Sequence, residues 1–290
     1  MESEVTKESL KKQLRQEVAR FYRRDDRLWK SPVVEMLRDL EKANLQAVFF
    51  GGTLRSLLVS RRYQHRPGRP RDVDIVVAGA SVDGIRELFQ SRIERETRFG
   101  GLQVRHYEWQ FDVWPLERTW AFVQDNELCP EFSSLPSTTF FNMEAIAVEV
   151  WPKPGKARRL FTGDDQFFEG LLTRTLEINR EENPYPSLCV IRALVMATAL
   201  DFRIGPALAR YISTHGQDLS RGEIKDVQRA HYGFQRRDCS ELIRWIDYVC
   251  DNVSDNEEKP IRLPIPRQLT LWPEDDDERE GVFRLHALSH

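Results

Sequence analysis

Two aspartates, Asp72 and Asp74, stand one residue apart in the apolar run Arg71-Asp72-Val73-Asp74-Ile75-Val76-Val77. In a strand, successive side chains point to opposite faces, so both carboxylates share one face while Val73 and Ile75 turn to the other. Like charges held side by side repel unless a cation neutralises them. A hard ion such as Mg²⁺ accepts such oxygens and completes its shell with substrate phosphates. Upstream, Phe49-Phe50-Gly51-Gly52-Thr53-Leu54-Arg55 reads as an apolar strand whose glycine pair opens a helix, where backbone N–H groups can approach an anion. The two stretches together imply a metal-dependent site for a nucleoside triphosphate.

A third carboxylate, Asp112, lies in Trp109-Gln110-Phe111-Asp112-Val113-Trp114. Phe111 and Val113 share one face and Asp112 projects from the other. If this strand neighbours the first, Asp72, Asp74 and Asp112 could hold two Mg²⁺ (or Mn²⁺) ions, one activating an attacking hydroxyl and one clamping the leaving phosphate. Taken alone, Asp112 reads equally as a solvent-facing strand residue.

The elements that must position these groups follow from periodicity. Leu10, Leu14, Val18, Phe21 and Tyr22, then Val33, Val34, Leu37 and Leu40 after Ser31-Pro32, predict N-terminal helices. Lys11, Lys12, Arg15, Arg20, Arg23 and Arg24 among them read as a solvated face or a nucleic-acid contact. A strand is expected over Leu45–Phe50, a helix over Thr53–Val59 and a strand over Asp72–Ala78. A helix over Val82–Gln90 is followed by a hairpin of Gly101–Tyr107 with Trp109–Trp114, and a further strand is expected over Phe140–Trp151. The stretch Arg61–Arg71 holds six basic residues, both ends included, with Pro67, Gly68 and Pro70, a loop that could grip phosphate or simply be solvated. Leu160–Asp165 reads as a turn. From Gln166 to about Val249 the period is helical, with Pro184, Pro186 and Pro206 at helix starts. The Pro-rich, acidic stretch beyond is expected to be irregular. The fold class expected is therefore α+β, with N-terminal helices over 1–44, an α+β head over 45–165, a helical domain over 166–252 and a tail over 253–290.

Bulk properties narrow the classes. With 290 residues the chain can build one large or two smaller cores. A net charge of −3 gives no global basic field, so any nucleic-acid surface must be local. The four cysteines are scattered without zinc spacing, as in reduced cytosolic proteins. Met1-Glu2-Ser3-Glu4 lacks the apolar core of a signal peptide, and no apolar run reaches bilayer length. A cytoplasmic chain without membrane partners is expected.

The ordered features resemble the class II poly(A) polymerases and CCA-adding tRNA nucleotidyltransferases of the polymerase-beta-like superfamily. The likeness runs from Gly51-Gly52-Thr53-Leu54-Arg55 through Asp72-Val73-Asp74, Phe111-Asp112-Val113 and Phe161-Thr162-Gly163-Asp164-Asp165, with Gly170 and Arg174 following. It reaches Ile191-Arg192-Ala193-Leu194 and Leu200-Asp201-Phe202-Arg203-Ile204. The resemblance implies a nucleotidyltransferase head followed by a helical neck and body. It also implies transfer of a nucleotide from an NTP or dNTP to a 3′-hydroxyl of a nucleic acid or growing oligonucleotide. In that reading Asp72, Asp74 and Asp112 bind the metals and are catalytic, and Gly51, Gly52, Thr53, Arg55 and Arg192 serve the nucleotide.

The chain departs from the family in four places. Ser56 stands where an aspartate is usual, and the basic stretch before Asp72 is longer. Thr138-Thr139-Phe140 replaces an Arg-Arg-Asp tripeptide. Tyr185-Pro186-Ser187-Leu188-Cys189 replaces the Glu-Asp-x-x-Arg that templates the incoming base. Without that hydrogen-bonding set, CTP/ATP selection of the family type is not expected, nor standard CCA addition. By analogy, a nucleotidyltransferase of this size suits a bacterial defence or toxin system. The alternatives are an inactive nucleotide- or RNA-binding module and a true tRNA or poly(A) nucleotidyltransferase. Trp109, Trp114, Trp120, Tyr107 and Phe111 read as core residues, with base stacking the other use.

Overall fold

The computed structural model describes residues 5–25, 28–63, 70–97, 99–253 and 259–264. The chain divides into two units, Met1–Leu172 and Thr173–His290.

In the first unit, helix α1 (Lys7–Tyr22) begins at a capping box between Thr6 and Ser9, and buries Leu10, Leu14, Val18 and Phe21 along one stripe. Helix α2 (Pro32–Lys42) opens on Pro32 and buries Val33, Met36, Leu37 and Leu40. Then come β1 (Gln46–Phe50), α3 (Gly52–Tyr63), β2 (Val73–Ala78) and α4 (Val82–Phe89). They are followed by β3 (Ile93–Glu96), β4 (Leu102–His106), β5 (Trp109–Pro115), α5 (Trp120–Gln124), β6 (Ala147–Glu149), β7 (Leu160–Phe161) and α6 (Gln166–Thr173). One seven-stranded sheet results, in the order β3-β4-β5-β2-β1-β6-β7. Every pairing is antiparallel except β2 with β5.

That single parallel pairing decides where the carboxylates fall. It sets Val73 beside Phe111, Asp74 beside Asp112 and Val76 beside Trp114. One face carries Phe49, Phe111 and Trp109, which pack with Phe21 of α1 at ring separations of 5.7 Å (Phe49) and 5.8 Å (Trp109). The other face carries Val48 and Val76, buried with Leu116, Phe122, Phe132, Leu135 and Ala147. Asp74 lies in line with Val76 and Ala78 on this second face.

The structure differs from the sequence expectations at several elements. Helix α3 continues to Tyr63, so the basic stretch begins inside a helix, and its remainder, 64–69, lies outside the described residues. Strand β3 was not expected. Leu160–Phe161 is a strand rather than a turn, because it pairs with Ala147 and Val148. Within Phe140–Trp151 the strand is confined to Ala147–Glu149, since Asn142–Glu144 forms a 3₁₀ turn.

In the second unit the helical period does not run unbroken. Between α6 and α7 (Pro186–Leu200) the chain is irregular except for β8 (Thr175–Leu176), which pairs in parallel with β9 (Arg203–Ile204). Helices α8 (Pro206–Gly216), α9 (Arg221–Tyr232) and α10 (Cys239–Asn252) pack with α7, whose Cys189, Val190, Ile191, Ala193 and Leu194 are buried. Part of the expected tail is built in, for Ile261 forms a bridge with Ile204; 254–258 and 265–290 lie outside the described residues. No helix among the described residues is long and apolar enough to cross a membrane.

Candidate active site

The glycine pair turns β1 into α3. Gly51 adopts φ +55°, a left-handed conformation that an L side chain takes only with strain. Its carbonyl accepts from the N–H groups of Leu54 and Arg55, which starts the helix. Its own N–H donates to the Ile146 carbonyl at 3.0 Å. The expectation that Gly51 offers an N–H to a triphosphate is therefore corrected, because Ile146, just before β6, takes that donor. The donors left by position in the first turn are those of Gly52 and Thr53.

Gly52 sits directly against the carboxylates. A Cβ there would lie 3.6 Å from Asp74 Oδ2 and 3.4 Å from Arg55 Nη2, so the missing side chain leaves a recess between an anion and a cation. Thr53 is buried and its hydroxyl is used internally. It accepts from the Asp74 backbone N–H at 2.8 Å and lies 3.2 Å from Asp74 Oδ2. Its role in this geometry is to pin the start of α3 to β2. Ser56 returns its hydroxyl to the Gly52 carbonyl at 2.9 Å.

Asp74 keeps a small accessible area, so an ion can reach it, yet surrounding atoms strip most of its hydration. That desolvation, and next the charges of Asp112, Glu144 and Asp72, push its pKa up to about 7, against the hydrogen bond with Thr53. Asp112 is also raised, chiefly by burial, although Gln103 Nε2 donates to its Oδ1 at 3.1 Å. Asp72 is held by Gln110 Nε2 at 2.9 Å and by Arg71 Nε at 2.6 Å. With these donors in place, no three carboxylate, imidazole or thiol groups among the described residues converge on one ion position. What the sheet brings together is the neighbouring pair Asp74 and Asp112, with Asp72 beside them. A divalent cation fits this donor set: the charges of Asp112 and Asp72 bear on the desolvated Asp74, and Mg²⁺ needs only one or two carboxylates when phosphates complete its shell.

Arg55 donates from Nη1 to Glu144 Oε1 at 2.8 Å, with both side chains largely covered. Glu144, Gln103 and Gln110 were not singled out from the sequence. Gln103 could have been, since hairpin register sets it opposite Asp112. Nothing local marks Glu144. Arg192 lies on α7 and so belongs to the second unit. Trp109 and Phe111 are core residues, whereas Tyr107 is 44% exposed and stacks on Trp29 at 4.7 Å. Of the basic residues on α1, Lys11 is bound to Asp165 and Arg15 to the Arg158 carbonyl, both inside this unit.

No family model and no curated protein matches the chain. Among solved structures it is similar to a CCA-adding enzyme with ATP, at 14% identity and a TM-score of 0.53 over 81% of this chain and 52% of the other. It is similar to the Thermotoga maritima CCA-adding enzyme complexed with tRNA, at 14% identity and 0.52 over 82% of this chain and 54% of that one. A CCA-adding enzyme with CTP gives 15% identity and 0.52 over 80% and 53%. The chain thus spans about half the length of these structures and shares their fold, a mixed sheet with flanking helices followed by helices.

Proposed function

We propose that this chain is a divalent-cation-dependent nucleotidyltransferase that joins a nucleoside monophosphate, from an NTP or dNTP, to the 3′-hydroxyl of a nucleic acid or growing oligonucleotide. The observation that carries it is Asp74: a desolvated carboxylate beside Asp112 and Asp72, under the side-chain-free Gly52 that opens α3. The hydroxyl oxygen bonds to the α-phosphorus, the bond to the β-phosphate breaks, pyrophosphate leaves with the electron pair, and the hydroxyl proton is lost. Mg²⁺ held by Asp74 and Asp112, with Asp72 beside them, would make that hydroxyl more acidic and neutralise charge on the leaving phosphates. The N–H groups of Gly52 and Thr53 and the positive end of α3 would hold the triphosphate, with Arg55 close by.

Selection of the incoming base differs from the CTP/ATP pattern in this proposal, so the reaction is not standard CCA addition. At the positions that would template a base, Pro186 forms the first turn of α7 and Cys189 is fully buried, so neither presents hydrogen bonds to a base edge. The test is incorporation by the full chain with each ribo- and deoxyribonucleoside triphosphate, Mg²⁺ or Mn²⁺ and RNA or DNA oligonucleotides, read by mass spectrometry of the products. Lengthened oligonucleotide with pyrophosphate release is expected, reduced about a hundredfold or more by Asp74→Asn or Asp72→Asn. Absence of incorporation with every combination would refute transfer.

A second reading, nucleotide binding without transfer, is favoured by the donors already on the carboxylates: Gln110 and Arg71 on Asp72, Gln103 on Asp112. It predicts nucleotide binding that Asp112→Asn leaves intact, with no product under any condition.

A further inference from the structure

The short segment Asn142–Ile146 holds the start of α3 twice. The Ile146 carbonyl takes the Gly51 N–H at 3.0 Å, and the Glu144 side chain takes Arg55 at 2.8 Å. Its backbone is tight, with Glu144 N–H bonded to Phe141 and Ile146 N–H to Glu144, so the Glu144 side chain has a fixed origin. A Cβ on Gly51 would lie 3.9 Å from Glu144 Cβ, and one on Gly52 would lie 3.4 Å from Arg55 Nη2 and 3.6 Å from Asp74 Oδ2. Arg55, Glu144 and Asp74 therefore surround the two glycines at close range. Glu144 is one of three negative charges acting on Asp74, with Asp112 and Asp72, and it is also the partner of the cation nearest the recess.

Resting on the proposed nucleotidyl-transfer site, we infer that Glu144 is a counter-charge shared by its two halves, adding to the pull on a cation while restraining Arg55 from an anion. Without a divalent ion, a polyphosphate entering the recess meets an Arg55 already neutralised, with a carboxylate beside it. An ion at Asp74 and Asp112 draws on the field of Glu144 and lessens its repulsion of phosphate. Cation and polyphosphate then favour each other's binding through this residue, and the coupling is reciprocal. Glu144 is a positioning residue here and touches no reacting atom.

The two halves are measured separately by isothermal titration calorimetry on the full chain, with Mn²⁺ alone and with tripolyphosphate alone in chelator. Glu144→Gln keeps the shape and a hydrogen-bond acceptor while removing the charge. It should weaken Mn²⁺ about fivefold and tighten metal-free tripolyphosphate by about the same factor. Arg55→Gln should move both in the opposite sense, and it serves if Glu144→Gln does not fold. A merely structural role weakens both ligands together. Wild-type chain that binds both probes, with variants that weaken both or change neither, overturns the role of Glu144 alone. Wild-type chain that binds neither probe overturns the proposed function and this inference with it.

Discussion

A methyl group added at Gly52 would lie 3.6 Å from the Asp74 carboxylate, in ordinary van der Waals contact and without a clash. Gly52 is the first residue of α3 and its φ is not positive, so alanine can take this backbone. Gly52→Ala is thus expected to fold with little change in thermal midpoint, and to lose tripolyphosphate affinity about tenfold as the recess fills. Gly51→Ala, at φ +55°, should instead cost about 1–2 kcal/mol of stability. Parallel melting and binding measurements check the contrast; equal loss of stability in both variants would show that space at Gly52 serves folding alone.

Asp74 gives the chain a pH signature. Its folded pKa is raised from 3.8 to about 7, so between those values the folded state keeps a proton that the unfolded state releases. Stability contributed by Asp74 therefore falls as pH rises through that window, by at most about 4 kcal/mol, and is level above it. Asp74→Asn stays neutral and should abolish this component, making the metal-free variant more stable than wild type at pH 8. Added Mg²⁺ should recover the difference in wild type only. Urea titrations of both proteins in chelator across pH 4.5–8 decide it, and curves that run parallel would contradict the assignment.

Thr53 is the bolt between the helix start and the carboxylate strand, since one hydroxyl meets both the backbone N–H and the side chain of Asp74. Thr53→Val preserves volume and leaves the Asp74 N–H without its partner. A loss of about 1–3 kcal/mol is expected, with Thr53→Ser recovering most of it. Chemical denaturation of the pair checks this; a neutral Thr53→Val would mean that water replaces the hydroxyl freely.

Much of the sheet centre was legible because local pattern and tertiary environment agree there. Strands β1, β2, β4 and β5 alternate or run apolar as buried strands must, and the proximity of Asp74 to Asp112 follows once β2 and β5 are neighbours. Strand β3, Ile93-Glu94-Arg95-Glu96, was not legible: as an edge strand it is mostly exposed and charged, and carries no apolar period. Glu144 carries no local signal because its meaning depends on Arg55, 89 residues away in sequence. The loss of the Gly51 donor was hidden for the same reason, since it depends on β6 reaching β1.

The second unit has its own pin, equally invisible in sequence. Glu177 accepts from the backbone N–H groups of Ala207 at 3.2 Å and Leu208 at 2.7 Å, so its carboxylate caps the first turn of α8 from 30 residues upstream. Pro206 at the helix start has no N–H to offer, which concentrates the capping on those two donors. Gly205, just before the helix, makes room for the carboxylate, as a Cβ there would lie 2.6 Å from Glu177 Cδ. Glu177→Ala removes the cap and should destabilise the chain by about 0.5–2 kcal/mol. Gly205→Ala should cost at least as much, because it pushes the carboxylate away and adds crowding. The double variant should lose little more than Glu177→Ala alone, since the carboxylate that crowds a Cβ at Gly205 is then gone. A double-mutant cycle on denaturation midpoints reads this directly, and additive losses would mean that Gly205 is required for some contact other than Glu177.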